Sequence, residues 1–180
     1  MSAKITSINY CPVKSVSFQS VENCKIKKNI GIIGDRIFAF AKDLDLEQAK
    51  LFEKSPAERK GKWNKVLTLK NSPALNKYNF IFKDEKLTLT FKDNEILSID
   101  INQSTEREAL SNKISELESS LKQPITLMKN DAFPFFDTSI SKKVDFVNSV
   151  SLLNFQSIND FEKKVGKKIE TSIFRGNICI

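Results

Sequence analysis

The sequence predicts a mainly β protein with added α-helices, an α+β fold whose first part is an antiparallel, barrel-like sheet. In the first half of the chain, short segments rich in β-branched and aromatic residues alternate with Gly, Asn, Asp and Pro. This composition is typical of strands joined by turns. Beyond these segments, apolar residues recur at the spacing of a helix rather than of a strand.

The predicted strands of the first half lie at residues 4–10, 21–27, 36–41, 65–69, 79–82, 87–91 and 96–101. Polar turns at 83–86 and 92–95 join the last three, which predicts a three-stranded meander. Residues 43–61 interrupt this pattern. Their composition predicts a short helix near 46–54 and an exposed loop, in the position of a lid.

An amphipathic helix follows the predicted strands. Thr105 and Glu108 have the spacing of a capping box, and Pro124 ends the segment. The apolar stripe of this helix consists of Leu110, Ile114, Leu117 and Leu121. We expect this stripe to pack on the barrel, and we expect a strand at 125–129 to follow.

The last part of the chain contains a Phe-rich loop at 133–137, an apolar segment at 147–153 and a second helix. Asn154 is the predicted N-cap of this helix and Gly166 its left-handed stop. Its predicted inner stripe is Ile158, Phe161 and Val165. A final strand is predicted at 172–180, and its apolar last residues suggest a strand that is truncated.

The absence of histidine removes several classes of chemistry. With His 0, neither a Ser-His-Asp triad, nor a His general base, nor a zinc site that needs imidazole is encoded. The three cysteines, Cys11, Cys24 and Cys179, form no C-x-x-C pair. We expect reduced thiols, with Cys11 and Cys24 buried and Cys179 used for packing, and we assign no metal ligand.

The charge and hydropathy of the chain favour a cytoplasmic protein with no membrane segment. Neither a long apolar run nor an export signal appears near the start. The net charge of +7 comes from 29 Lys+Arg against 22 Asp+Glu. Because the lysines are scattered along the chain, a solvated surface is favoured over a nucleic-acid interface.

Three stretches carry cations or hydroxyls at strand ends. Lys14 and Ser15 follow a Pro-fixed turn, and a Gly-Asp step places Arg36 at the start of a buried strand. Arg175 lies inside an apolar strand, where an unpaired charge would be costly. Taken together, these residues predict one anion site, with Asp35 orienting Arg36.

Four motifs occur in order along the chain: Pro12-Val13-Lys14-Ser15, Gly34-Asp35-Arg36, Val150-Ser151-Leu152-Leu153-Asn154 and Phe174-Arg175-Gly176-Asn177-Ile178. In this order they resemble MOSC-domain proteins that carry an N-terminal β-barrel domain. That family includes the mitochondrial amidoxime-reducing component and the C-terminal part of molybdenum cofactor sulfurase. The resemblance implies that the phosphate of a molybdopterin cofactor is held by Lys14, Ser15, Arg36, Asn154 and Arg175.

The resemblance also implies a division of the chain. Residues 1–101 would form the N-terminal barrel region, 102–146 a helix and connecting segment, and 147–180 the incomplete start of the MOSC β-barrel domain. In the family, the cysteine that ligates molybdenum lies further along, so we expect this chain to stop before it. Catalytic residues and enzyme activity are therefore left open.

For the full-length form, the resemblance implies an oxidoreductase or sulfur-transfer protein acting on N-hydroxylated or related small molecules. Its partners would be a pterin cofactor and an electron-transfer or sulfur-donor protein. The resemblance also implies binding of pyridoxal phosphate. Two other readings remain. A basic β-barrel rich in Phe and Lys can bind single-stranded nucleic acid by stacking, and the chain can also be a non-catalytic carrier or partner module.

Overall fold

The computed structural model describes residues 4–59, 61–121, 123–136 and 149–180. The described strands are β1 Ser7–Tyr10, β2 Gln19–Val21, β3 Ile26–Lys27, β4 Gly31–Ile32, β5 Phe38–Lys42, β6 Asn79–Lys83, β7 Lys86–Phe91, β8 Asn94–Asp100, β9 Ile125–Lys129, β10 Leu152–Leu153 and β11 Ile178–Cys179. The described α-helices are α1 Leu46–Lys54, α2 Ser104–Leu117 and α3 Phe155–Val165. The α+β prediction is confirmed. None of the described helices has the length and apolar character needed to cross a membrane.

The antiparallel ribbon of β5 and β9 separates two hydrophobic clusters. Side chains alternate along a strand, and β5 therefore directs Phe38 and Phe40 into one cluster and Ala39 and Ala41 into the other. The first cluster lies between the ribbon, the meander β6–β7–β8 and α2, and the second contains Phe52 of α1. The ribbon is thus buried on both faces.

The predicted meander is confirmed, with β6, β7 and β8 paired in antiparallel order. The predicted barrel is not seen as one continuous sheet, because the described strands form four separate small sheets. The segment at 65–69 is not a strand. It follows a 3₁₀ turn at Trp63–Lys65, and Val66 makes only an isolated bridge with Ala41. Val66 and Leu67 are buried as the pattern requires, but without a ladder, and Leu69 is only partly buried.

Two further segments differ from the prediction. The segment at 21–27 divides into the end of β2 and the short β3. The segment at 172–180 is mostly not a strand, because a 3₁₀ turn at Thr171–Phe174 precedes Arg175 and only Ile178–Cys179 pairs. Helix α1 and strand β9 have the predicted bounds.

Helix α2 begins differently from the prediction. The N-cap is Gln103, which makes no side-chain cap bond, so Thr105 is not part of a capping box. Glu106 instead accepts a hydrogen bond from the amide of Asp100. Leu110 and Ile114 are buried in the first cluster as expected. The helix ends at Leu117, whose side chain is 37% exposed, and Leu121 packs against the cluster from beyond the helix.

One sheet joins the two ends of the described chain. Its strand order is β10-β11-β1-β2, and only the β10–β11 pair is parallel. Asn154 caps α3 by accepting from the amide of Gln156, and Gly166 ends it with φ +66°, as predicted. The inner stripe is only partly correct, because Ile158 is buried while Phe161 and Val165 are 47% and 43% exposed.

Two parts of the sequence prediction lie outside the described residues. These are the start of the apolar segment at Val147 and the end of the Phe-rich loop at Asp137. The division of the chain at 101 and 146 stays a prediction.

Candidate anion-binding site

Backbone hydrogen bonds hold two loops of the first half side by side. The amide of Arg36 donates to the carbonyl of Cys11 at 2.7 Å, and the amide of Lys14 donates to the carbonyl of Phe38 at 2.8 Å. These bonds join the segment that carries Lys14 and Ser15 to the segment that carries Arg36. Residues from two separate sequence motifs therefore lie on adjacent loops.

Asn177 joins the end of the described chain to the same loops. Its side-chain Nδ2 donates to the carbonyl of Asn9 at 3.1 Å and to Oδ2 of Asp35 at 3.2 Å. Its Oδ1 accepts from the amide and the hydroxyl of Ser151. The Asn177 side chain is 1% exposed, and both of its polar atoms are hydrogen bonded, as a buried amide requires. The bonds hold Arg175, two residues earlier, beside the loops.

A cavity of about 940 Å³ opens where these segments meet. Four of the five residues predicted to hold a phosphate line it: Lys14, Ser15, Arg36 and Arg175. Lys42 and Lys70 line it as well, whereas no acidic residue does so among the residues that the structure describes. Asn154 is not in the lining, and its side chain caps α3 instead.

Asp35 lies behind the cavity and orients Arg36. The carboxylate is 1% exposed, and its Oδ2 is 2.7 Å from Nη1 of Arg36. Oδ1 accepts from the amide of Cys11 at 3.0 Å. Burial raises the pKa of Asp35, and the adjacent Arg36 guanidinium opposes that rise. The ion pair, with the hydrogen bond from Asn177, therefore fixes the Arg36 side chain from one side.

The Arg36 guanidinium also contacts two aromatic rings. It lies 5.0 Å from the ring centroid of Phe18 and 4.9 Å from that of Phe136. Rings at these distances attract a cation. The only hydrogen bond that Arg36 makes with the described side chains uses Nη1. Its other four N–H donors make no hydrogen bond to the residues that the structure describes and can serve a ligand in the cavity.

Arg175 is held by three contacts and has a non-strand backbone. Its Nη2 donates to the carbonyl of Val16 at 2.8 Å and contacts Sγ of Cys11 at 3.7 Å, and its Nη1 donates to Oδ1 of Asn76 at 2.8 Å. The guanidinium lies 4.4 Å from the ring centroid of Phe18. Burial lowers the pKa of Arg175 from its usual value. The prediction that Arg175 lies inside a strand is wrong, because the residue ends a 3₁₀ turn at Thr171–Phe174 and its guanidinium is hydrogen bonded there.

Lys14 and Ser15 form the third side of the cavity. Lys14 is 7% exposed and Ser15 is 6% exposed. The Lys14 ammonium lies 5.5 Å from the centroid of the Trp63 ring. The Ser15 hydroxyl donates its one O–H to the carbonyl of Leu67 at 3.3 Å, so it donates to a ligand in the cavity only by rotating away from that carbonyl.

Three of these four residues have a left-handed backbone. The φ angles of Ser15, Arg36 and Arg175 are 72°, 54° and 51°. Residues other than Gly, Asn and Asp rarely adopt these positive φ angles. Strained backbone of this kind concentrates at functional sites. These three unfavourable backbone conformations place the Ser15, Arg36 and Arg175 side chains at the cavity, as a binding site would require.

A scan against family models matched the MOSC N-terminal beta barrel domain over residues 2–124. The chain belongs to this family. The predicted family is thereby confirmed, and members of the MOSC family are associated with the molybdenum cofactor. Searches of curated proteins and of solved structures each found no match. The matched range includes Lys14, Ser15 and Arg36, while Arg175 lies after it.

Several lining residues of this MOSC-family cavity were missed from the sequence. Trp63 begins a 3₁₀ turn, Phe136 lies in the Phe-rich loop, and Lys42 ends β5, but none of them was assigned to a site. Asn177 was noted only as part of a motif, although its neighbours in space are far away in sequence. The single Trp of the chain was an available signal, because Trp is enriched where one end of the ring is apolar and the other is exposed to water.

The cysteines of this MOSC-family chain are placed for packing. Cys11 is completely buried, and burial raises the pKa of its thiol to about 12. Cys179 is 4% exposed, whereas Cys24 is only partly buried, contrary to the expectation. Within the described ranges, no group of three or more His, Cys, Asp or Glu residues is arranged to hold a metal ion.

Proposed function

We propose that the cavity binds the phosphate group of a molybdopterin-type cofactor, with Arg36 and Arg175 as its main anion ligands. The observation that carries the proposal is the convergence of Lys14, Ser15, Arg36 and Arg175 on one cavity. Five basic residues line the described part of that cavity and no carboxylate lines it. Such a surface attracts an anion and repels a cation.

The donor set fits a phosphate. Arg36 presents a planar guanidinium that Asp35 fixes at one nitrogen, which suits bidentate bonds to phosphate oxygens. The contacts of Arg175 with described residues occupy three of its five N–H groups, so two remain. Lys14 adds a point charge, and Ser15 adds a hydroxyl that would turn from the Leu67 carbonyl toward the ligand. Each phosphate oxygen can therefore receive a charge-assisted hydrogen bond.

The size of the cavity favours a ligand larger than phosphate. Cavities of about 300–1,000 Å³ hold drug-sized molecules, and this one measures about 940 Å³. When bound, the cofactor would supply redox chemistry at its metal. The described residues would grip and orient it. The oxidoreductase or sulfur-transfer activity that the resemblance implies belongs to this proposal and is not carried by the described residues.

The test is the amount of pterin that the protein retains. The chain is purified from a host that makes molybdopterin, and the pterin released on denaturation is oxidised and measured by fluorescence. We expect Arg36→Ala and Arg175→Ala each to retain much less pterin than the unmodified chain. Lys113→Ala is the matched control, because Lys113 pairs with Glu116 on the solvent-exposed face of α2 and does not line the cavity. Equal pterin in all four proteins, or none in any, would overturn the proposal.

A further inference from the structure

The only tryptophan of the chain, Trp63, lines the anion cavity. We propose that Trp63 selects phosphate esters with a planar, conjugated ring by placing its indole against that ring. The inference rests on the proposed function, because it concerns the part of the same ligand that lies beyond the phosphate. Trp63 was assigned no role from the sequence.

The position of Trp63 follows from its neighbours. The Lys14 ammonium lies 5.5 Å from the centroid of the indole ring, so a phosphate bound at Lys14 brings its ester group beside the indole. One part of Trp63 packs against the second hydrophobic cluster, and the rest faces the cavity. Rings stack on such half-exposed aromatic side chains with little loss of side-chain entropy.

The wall that carries Trp63 is fixed rather than loose. Arg59 is 1% exposed, and its Nε donates to the carbonyl of Phe52 at 2.8 Å. Its Nη1 donates to the carbonyl of Phe133 at 2.7 Å, and its guanidinium lies 3.9 Å from the ring centroid of Phe135. These bonds tie the segment before Trp63 to the segment before Phe136. Preorganised walls of this kind lower the entropic cost of binding.

The other aromatic rings of the cavity are less suited to the role. The Phe136 ring is only 7% exposed and is contacted by the Arg36 guanidinium at 4.9 Å, so little of its face is open to a ligand. Phe174 is 41% exposed and follows a short 3₁₀ turn. Trp63 is only partly buried, has the largest ring of the three and lies beside Lys14 of the phosphate grip. It is therefore the side chain that we expect to determine selectivity.

The experiment uses two phosphate monoesters that differ in their alcohol. The ¹⁵N-labelled chain, which has one indole N–H signal, is titrated with 1-naphthyl phosphate and with glycerol 3-phosphate. We expect the naphthyl ester to bind about tenfold more tightly, as one stacked ring contributes. It should also shift the indole signal, whereas glycerol 3-phosphate should leave that signal nearly in place.

Variants separate this inference from the proposed function. Trp63→Ala should abolish the preference for the naphthyl ester while glycerol 3-phosphate still binds, and Trp63→Phe should keep most of it. Phe161→Ala is the matched aromatic control and should keep the preference, because Phe161 is 47% exposed on α3 and does not line the cavity. Equal affinities for the two esters, or loss of the preference in Phe174→Ala instead of Trp63→Ala, would overturn the role of Trp63. Failure of both esters to bind the unmodified chain would instead overturn the proposed function.

Discussion

Asn177 donates a hydrogen bond from Nδ2 to Oδ2 of Asp35 at 3.2 Å, which joins two residues 142 positions apart in the sequence. The same carboxylate oxygen accepts from Arg36 at 2.7 Å. Asp35 therefore links the guanidinium of one predicted site residue to the segment that carries another, Arg175. The two halves of the cavity are held together by a buried polar network.

We expect Asp35→Asn to weaken both stability and anion binding. The amide keeps the shape of the carboxylate but removes its charge, and its NH2 group faces donors that already point at Asp35. Leaving buried donors unsatisfied should lower the free energy of unfolding by about 1–3 kcal/mol. Urea unfolding measures this change. Asp43→Asn is the control, because Asp43 forms a half-exposed pair with Lys65 and should change stability by at most about 1 kcal/mol.

The stability of the chain should depend on pH through Glu118. Burial raises the pKa of Glu118, but hydrogen bonds from Lys77 and Tyr78 outweigh burial and hold the pKa below its usual value of 4.5. A lowered folded-state pKa gives stability that is present above pH 4.5 and is lost as the pH falls through the folded value. Glu118→Gln should therefore lower the urea midpoint at pH 7, and its difference from the unmodified chain should shrink in acid.

Glu116→Gln is the control for that pH dependence, because Glu116 lies on the exposed face of α2 and, among the described residues, forms an ion pair only with Lys113. Its urea midpoint should follow the unmodified chain at every pH. A Glu118→Gln difference that stays constant from pH 7 into acid would show that the charge of Glu118 contributes nothing.

Thiol reactivity should distinguish the cysteines. Cys11 is completely buried with a pKa of about 12, and Cys179 is 4% exposed, so both should resist a disulfide reagent in the folded protein. Cys24 is partly exposed and should react. We expect one rapidly reacting thiol in the native state and three after denaturation, in agreement with the three cysteines of the chain. Cys24→Ser should remove the rapid reaction, and a rapid reaction that persists in this variant would contradict the packing.

Gly176 allows the segment of Arg175 to approach β10. A Cβ at Gly176 would lie 2.7 Å from Cβ of Leu153, closer than two carbon atoms can approach. Gly176→Ala should therefore cost about 1–3 kcal/mol of stability, as overpacking does. In a Leu153→Gly background the same change should cost less, and a double-mutant cycle measures the difference. Equal costs in the two backgrounds would mean that Leu153 is not the obstacle.

Local signals in the sequence predicted the elements that depend on neighbouring residues. Both ends of α3 were predicted because Asn154 and Gly166 mark the start and the stop of a helix. The bounds of helix α1 and strand β9 were predicted from the composition of their own residues. The pairing of β1 with β11 was not anticipated, because no local pattern encodes a partner near the other end of the chain. The predicted capping box at Thr105 was wrong. Helix α2 begins at Ser104, after Gln103, which makes no side-chain cap bond.

Four of the predicted site residues, Lys14, Ser15, Arg36 and Arg175, line one cavity, and their role there stays a prediction. They were singled out because cations and hydroxyls at the ends of apolar strands suit an anion. Lys42, Lys70 and the aromatic walls of the cavity were missed. The backbone of Arg175 was predicted as a strand, yet its φ of 51° belongs to the left-handed region. Trp63 was missed because its place in the cavity depends on tertiary contacts, through the second hydrophobic cluster, that the sequence does not display.

Calorimetric titration of the chain with glycerol 3-phosphate tests the central claim, a single anion site shared by Arg36 and Arg175, most directly. We expect one phosphate ester per chain and a loss of affinity of about tenfold or more in Arg36→Ala and in Arg175→Ala, since each removes a charge-assisted hydrogen bond of about 1.5–3 kcal/mol. Arg175→Lys, which keeps the charge, should fall between, and Lys113→Ala should bind normally. Thermal unfolding of each variant confirms that it is folded. Undiminished affinity in a folded Arg36→Ala or Arg175→Ala protein, or two independent sites per chain, would contradict the shared site.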